Sequence, residues 1–355
     1  MRFTHETLPQ RVVFASGEAP AAVAAEIEHL GAKRVMVIAA PAEASLADAV
    51  SEKLPVALRH DEVVMHVPVK VAERARAAAV KAAADVLLCV GGGSTTGLAK
   101  AVAMTGSPVA GLPIVAVPTT YAGSEATNVW GLTEGETKTT GVDNAVLPRS
   151  IVYDASLTLT LPAEMSVASG LNAVAHCVDS MWAPRTDPIN RALAAEGISG
   201  LALGLPAVVA DPAGIDGRER TLYGAYLAAV AFASAGSGMH HKICHVLGGM
   251  FNLPHAQTHA VVLPHVLAFN VPSAPEAELR IARAFGAETA SAGLAGLRRA
   301  VGAPKALRDY GMPEDGIAKA VAPILAAIPA SNPAPVTEGN ITALLRAAWE
   351  GDEPA

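Results

Sequence analysis

Residues 85–100 read DVLLCVGGGSTTGLAK: an unbroken apolar run, three glycines, then a helix start. A short continuous apolar run that stops at glycine is the pattern of a strand buried on both faces. The surrounding chain repeats the theme. RVMVIAA (34–40) and PIVAVPTT (113–120) are further apolar runs, and helical stretches fall near 20–30, 44–53, 70–84 and 95–104. Additional strands are expected in the N-terminal RVVFASG, near 56–59 and in VVMHV (63–67). Strands alternating with helices give a mostly parallel sheet covered on both faces, doubly wound through right-handed crossovers. From 128 to 153 the rhythm changes. NVWGLT and SIVYD flank the polar stretch EGETKTTGVDN, and a hairpin excursion is expected there. After Asp154 strand signals fade, and Leu161-Pro162 opens helical stretches at 162–182, 188–209, 216–235 and 237–250. The fold expected is therefore a Rossmann-like α/β domain over residues 1–155, followed by an all-α domain over 156–355.

The length of 355 residues allows two full hydrophobic cores. A formal charge of −7, with no basic run, argues against nucleic acid as a partner. Cys89, Cys177 and Cys244 are too few and too scattered for a disulfide framework, and Cys89, inside an apolar strand, reads as core. The start MRFTHETLPQ has no apolar signal region, and no window reaches 18 uninterrupted apolar residues. A cytoplasmic protein with no membrane partner is expected.

The glycine turn has a chemical reading beside its structural one. Gly92 and Gly93 let backbone approach a ligand closely, and a helix N-terminus offers free amides to an anion. Ser94 can add a hydroxyl or cap the helix. The pattern is neither G-x-G-x-x-G nor a P-loop, so a phosphate or pyrophosphate is the broad expectation. A second loop, VPTTYAGSEATN (117–128), also leaves a strand and carries Thr119, Thr120, Tyr121 and Ser124. Two such loops at neighbouring strand ends favour a nucleotide over a plain turn.

In the helical half, Gly236–His259 holds five of the eleven histidines. His241 and His245 are four apart and share a helix face, and His255 follows the turn-prone Asn252-Leu253-Pro254. Upstream, Asn172 and His176 are also four apart. Imidazoles collected this way mean metal ligation or proton transfer, unless they merely face solvent. The apolar neighbours Met239, Ile243, Val246 and Leu247 speak for a buried segment. His259 and His265 read as structural.

With its GGGS turn, its PTT…GSE loop and its histidines in this order, nearly the whole chain resembles the iron-containing alcohol dehydrogenase superfamily, with its dehydroquinate synthase-like architecture. That resemblance implies a pyrophosphate held by Gly92, Gly93 and Ser94. It also implies a nicotinamide–ribose end lined by Thr119, Thr120, Tyr121, Ser124 and Lys138. His176, His241 and His255 fall on the family's three histidine-ligand positions, and His245 on the non-ligating histidine near the nicotinamide. Asn172 falls where metal-binding members carry an aspartate. A neutral amide there removes the anionic ligand and weakens a divalent-ion site.

Two more departures accompany it. PTTYAGSE is a residue shorter than the usual PTTAGTGSE, and Gly97 stands where metal-dependent members commonly have aspartate. Together with GMHHKICHVLGG and NPAPVT (332–337), these resemble the maleylacetate reductase branch of the superfamily. The branch implies reduction of maleylacetate, a small dicarboxylate, to 3-oxoadipate in aromatic-ring degradation. It implies NADH or NADPH as cofactor, no required metal, and a homodimer. On this reading His241 and Lys242, helped by His176, bind the substrate's oxygen and carboxylate charges, while His245 or His255 delivers a proton. No acidic residue follows the strand at 34–40, where Ala39-Ala40-Pro41 stand, so both cofactors are expected to work. The rivals are a metal-dependent alcohol dehydrogenase, a lyase of the dehydroquinate synthase type, and a binding protein without catalysis.

Overall fold

The computed structural model describes residues 1–135 and 137–354, with the side chains of Thr137 and Lys138 outside that description. The Lys138 assignment therefore falls outside the described residues. The chain forms two units, one of residues 7–161 and one of residues 1–6 with 162–355. The first six residues thus join the helical unit instead of the sheet. His5 Nδ1 lies 2.8 Å from Asp187 Oδ2 there, and the same Asp187 caps the helix that follows it.

In the α/β unit, β1 (Arg11–Phe14), α1 (Ala19–His29), β2 (Val35–Ile38), α2 (Ala44–Ser51), β3 (Val56–His60), α3 (Val69–Lys81), β4 (Val86–Gly91), α4 (Gly93–Ala103) and β5 (Ile114–Pro118) alternate as expected. The hairpin β6 (Val129–Glu134) and β7 (Thr137–Val142) follows, and β8 (Ser150–Tyr153) returns to the main sheet. That sheet has six strands in the order β1-β8-β5-β4-β2-β3, all paired parallel. Alternate side chains serve opposite faces. Val35, Val37, Leu88, Val90 and Val117 pack with α1 and α2. Met36, Ile38, Leu87, Cys89 and Ile114 pack with α3 and α4.

Two sequence expectations are corrected. VVMHV (63–67) is not a strand; its residues turn back, with His66 at φ 64° and the β-branched Val67 at φ 48°. The turn is held because Val67 N–H donates to Val64 O, while Thr133 donates its N–H to Val67 O and its hydroxyl to His66 O. The hairpin is also built differently. TKTTGV, from inside the supposed polar loop, supplies the second strand, and Leu132 pairs with Thr139. SIVY instead sits between β1 and β5.

The helical unit contains α5 (Ala163–Ser180), α6 (Pro188–Ala210), α7 (Ile215–Ala235), α8 (Met239–Phe251), α9 (His255–Asn270), α10 (Pro275–Phe285), α11 (Ala290–Val301), α12 (Gly316–Ala327) and α13 (Glu338–Glu350). By length and composition α6 is the one single helix among the described residues apolar enough to cross a membrane, with mean hydropathy 1.7. Here it packs against α7. A Cβ at Gly224 would stand 2.9 Å from Gly197 O and from Leu201 N, so the close approach of the two backbones depends on glycine there. Between α7 and α8 the chain bends by 96°, through Gly236 at φ 87°.

Candidate active site

In the α/β unit the glycine turn joins β4 to α4. Gly92 is the N-cap of α4, and Ser94 lies inside its first turn without capping it. Thr96 N–H makes the first backbone bond back, to Gly92 O at 3.1 Å, which leaves the Gly93, Ser94 and Thr95 amides without intrahelical acceptors. Gly91 pairs with Pro118 across the sheet, so the second loop leaves the adjacent strand end. The loops touch: a Cβ at Gly92 would lie 2.9 Å from Thr120 Cγ2. Gly92, Gly93, Ser94, Thr120 and Ser124 are partly exposed, Thr119 is 4% exposed and Tyr121 is fully buried. Free amides at a helix N-terminus, glycine close to a neighbouring loop and hydroxyls alongside fit a dinucleotide's pyrophosphate.

In the helical unit α5, α8 and α9 bring imidazoles together. His176 and His241 stack with centroids 4.9 Å apart, and Phe232 covers both, at 4.9 and 4.3 Å. His259 lies 4.9 Å from His241 and 4.3 Å from His255, and His245 lies 6.0 Å from His241. His240 Nε2 and His259 Nδ1 share a hydrogen bond of 2.9 Å. His255 opens α9 and is exposed, while Lys242 and His245 are half-buried. The Lys242 ammonium has no hydrogen-bond partner among the described residues, which leaves its charge available to a ligand.

Asp179 organises this cluster and was not singled out in the sequence. It lies in the last turn of α5, fully buried against the start of α8. It accepts from the Gly238 amide at 2.8 Å and from the His240 and His241 amides at 3.3 Å each. His241 Nδ1 donates to Asp179 Oδ2 at 2.8 Å, which fixes the tautomer and leaves Nε2 bare. Burial raises the Asp179 pKa to about 6, against the amide donors that lower it. The sequence reading gave His240 no role and His259 only a structural one. Their signal was spacing, since His259 is one helical turn from His255, but a turn of helix cannot say what faces it.

Five polar atoms here, Asn172 Oδ1, His176 Nδ1, His240 Nδ1, His241 Nε2 and His259 Nε2, are buried without a hydrogen-bond partner among the described residues. Bare polar atoms are costly in a dry pocket and call for a polar ligand. As the side chains stand, the family's three histidine-ligand positions are not gathered around one point. His176, His241 and His255 do not bring donor atoms within 4.8 Å of one another. Among the described residues the group that does is His240, Cys244 and His259. There the 2.9 Å between nitrogens is shorter than the roughly 3.3 Å expected for two ligands of one tetrahedral ion. Burial also holds the Cys244 thiol well above its ordinary range, in its un-ionised form.

Burial keeps these imidazoles neutral. It lowers His176 to about 4 and His240 to about 3, with neighbouring imidazoles adding to the effect, and takes His241 and His259 well below 6.5. His265 on α9 falls to about 4 by burial and by the charge of Arg298. The unfolded chain takes up these protons near pH 6.5 and the folded chain does not. Stability is therefore complete above that pH and is lost as the pH falls below it, by up to about 1.4 kcal/mol per histidine per pH unit. Asp179, raised from 3.8 to about 6, acts in the opposite sense between those values and offsets one histidine. The melting temperature is expected to drop steadily from pH 7 to pH 5; an unchanged value would contradict the buried cluster.

Comparison with known proteins gives concordant results. The iron-containing alcohol dehydrogenase family model matches residues 9–155, and the C-terminal model of the same family matches residues 166–349. A maleylacetate reductase of Sphingobium indicum is 46% identical, covering 100% of this chain and 99% of that one. An iron-containing alcohol dehydrogenase structure from Corynebacterium glutamicum is 62% identical with a TM-score of 0.96, covering 99% of this chain and 98% of that one. A maleylacetate reductase structure from a Rhizobium species is 38% identical with a TM-score of 0.92, covering both chains completely.

Proposed function

The chain belongs to the iron-containing alcohol dehydrogenase family, among its maleylacetate reductases, and from that premise we propose that it reduces maleylacetate to 3-oxoadipate with NADH or NADPH and without a required metal. The observation that carries this reading is the donor set in the helical unit. Neutral imidazoles stand together, Asn172 lies one helical turn before His176, and the buried carboxylate among them, Asp179, is occupied by backbone amides and His241. An anion drawn into such a pocket can be met by protons taken up on the imidazoles, with Asp179 behind His241.

Maleylacetate carries two carboxylates and an alkene conjugated to a ketone. A nicotinamide held there would supply hydride chemistry at the alkene carbon β to the ketone, and the substrate would then carry its negative charge as an enolate. Charge spread over oxygen and carbon is held by hydrogen-bond donors or a cation, with no Lewis acid needed. We assign that work to His241 and Lys242 with His176, and the proton for the neighbouring carbon to His245 or His255. Substrate carboxylates would draw protons onto these imidazoles, because a nearby anion favours the charged form. Asp179 supports a protonated His241 from behind. Gly92, Gly93 and Ser94 would hold the pyrophosphate, with Thr119, Thr120 and Ser124 beside it. Tyr121, fully buried, would act through its packing.

The name of the 62% identical Corynebacterium protein keeps a second reading open, a metal-dependent alcohol dehydrogenase. Chelator-treated protein given maleylacetate should oxidise NADH and NADPH alike, followed by absorbance. No oxidation by the treated protein, with activity restored by iron or zinc, would favour the second reading.

A further inference from the structure

Lys100 lies on α4, two helical turns after the glycine turn, and its side chain is fully buried. Lysines are almost never buried this completely unless their charge is matched. Its ammonium donates to Ser124 O at 2.6 Å, to Val129 O at 2.8 Å and to Thr127 Oγ1 at 3.1 Å. Three N–H groups meet three oxygens, and all three oxygens belong to the segment that follows the Thr119–Thr120 loop.

We propose that Lys100 is a positioning residue for the nicotinamide cofactor, fastening the loop after β5 to the helix whose N-terminus forms the phosphate turn. The inference rests on the cofactor reading given above. The segment is held from other sides as well. Tyr153 hydroxyl donates to Glu125 Oε1 at 2.9 Å, and Gln10 Nε2 donates to Glu125 O at 2.9 Å. Thr127 hydroxyl donates to Ser124 O and accepts from the Val129 amide, so the oxygens that Lys100 grips are already drawn together. Glu125 is buried beside them and opposes the loss of the lysine's charge, while burial lowers the Lys100 pKa to about 7. The three-acceptor geometry is that of the ammonium; an amine would leave one oxygen without a donor.

An apolar residue would fill this space without the desolvation penalty of a buried charge. What the lysine adds is register between two loops. Gly92 and Thr120 meet at the ligand side of the turn, and Lys100 fixes the same pair of elements further along. A shift of either loop would part the free amides of α4 from the hydroxyls of the second loop, and cofactor affinity would fall.

Fluorescence titration with NADH, together with steady-state kinetics, tests this on the wild type and on Lys100→Met, Lys100→Arg and Thr127→Val. Loss of charge-assisted hydrogen bonds should raise the NADH Kd and KM of Lys100→Met by about tenfold or more, with the maleylacetate KM nearly unchanged. Lys100→Arg should recover part of the loss, and Thr127→Val should weaken NADH by roughly threefold. An unaltered NADH Kd in Lys100→Met overturns the proposal, as does a fall in kcat with both KM values intact. If Lys100→Met does not fold, an unaltered Kd in Thr127→Val overturns it instead. A wild type that fails to bind NADH refutes the cofactor reading itself.

Discussion

His241→Ala is expected to slow turnover by about 10²–10⁴-fold while NADH affinity stays close to that of the wild type. The side chain sits where the helical unit concentrates its polar atoms. It stacks on His176, lies edge-on to His245, and carries a bare Nε2 whose opposite nitrogen is tied to Asp179. Removing it takes away a donor for the developing enolate and uncovers Phe232, against which it packs. Asp179 keeps its three backbone donors, so the fold should survive. The measurement is kcat at saturating NADH, with circular dichroism as a control. Near-normal turnover would remove His241 from the chemistry and leave the cluster to Lys242 and the other histidines.

The second large effect concerns Asp179→Asn. The carboxylate takes four donors on two oxygens, three of them on Oδ2. An amide can keep its oxygen toward Gly238 and His241, but its NH2 then faces the His240 amide, donor against donor. That mismatch should cost about 1–3 kcal/mol of stability. Without the negative charge, a protonated His241 also loses its support, and kcat should fall on the order of 10²-fold. The two consequences separate experimentally. A lower melting temperature with unchanged kcat would make Asp179 a helix anchor only. A fall in kcat whose pH profile moves toward lower pH would mark it as the residue that sets the protonation of His241.

The site was legible in the sequence to different depths. GGGS and the PTT…GSE loop were readable because a glycine turn between a strand and a helix has one dominant geometry. The histidines at 241 and 245 were readable because helical spacing puts them on one face. His240 and His259 were not. They lie on two different helices, and only the turn at Asn252, φ 51°, brings His259 back to within 2.9 Å of His240. Asp179 was missed for a related reason. Nothing in HCVDS tells that Gly236 will turn the chain through 96° and aim the first amides of α8 at that carboxylate.

Taken alone, the order of apolar runs and helical stretches determined the layered sheet and the helical second half, and the GGGS, PTT…GSE and histidine motifs carried the resemblance to the family. Those features rest on local periodicity and on motifs a few residues long, which the chain carries at every point. The tertiary structure decided the rest. It made TKTTGV a strand and VVMHV a turn, since pairing depends on which backbone groups remain unsatisfied nearby. It buried Lys100 against three oxygens supplied by residues 24 to 29 positions away. It also made a pocket of neutral imidazoles from residues that read as metal ligands, because burial and mutual packing, rather than spacing, fix which nitrogens stay bare.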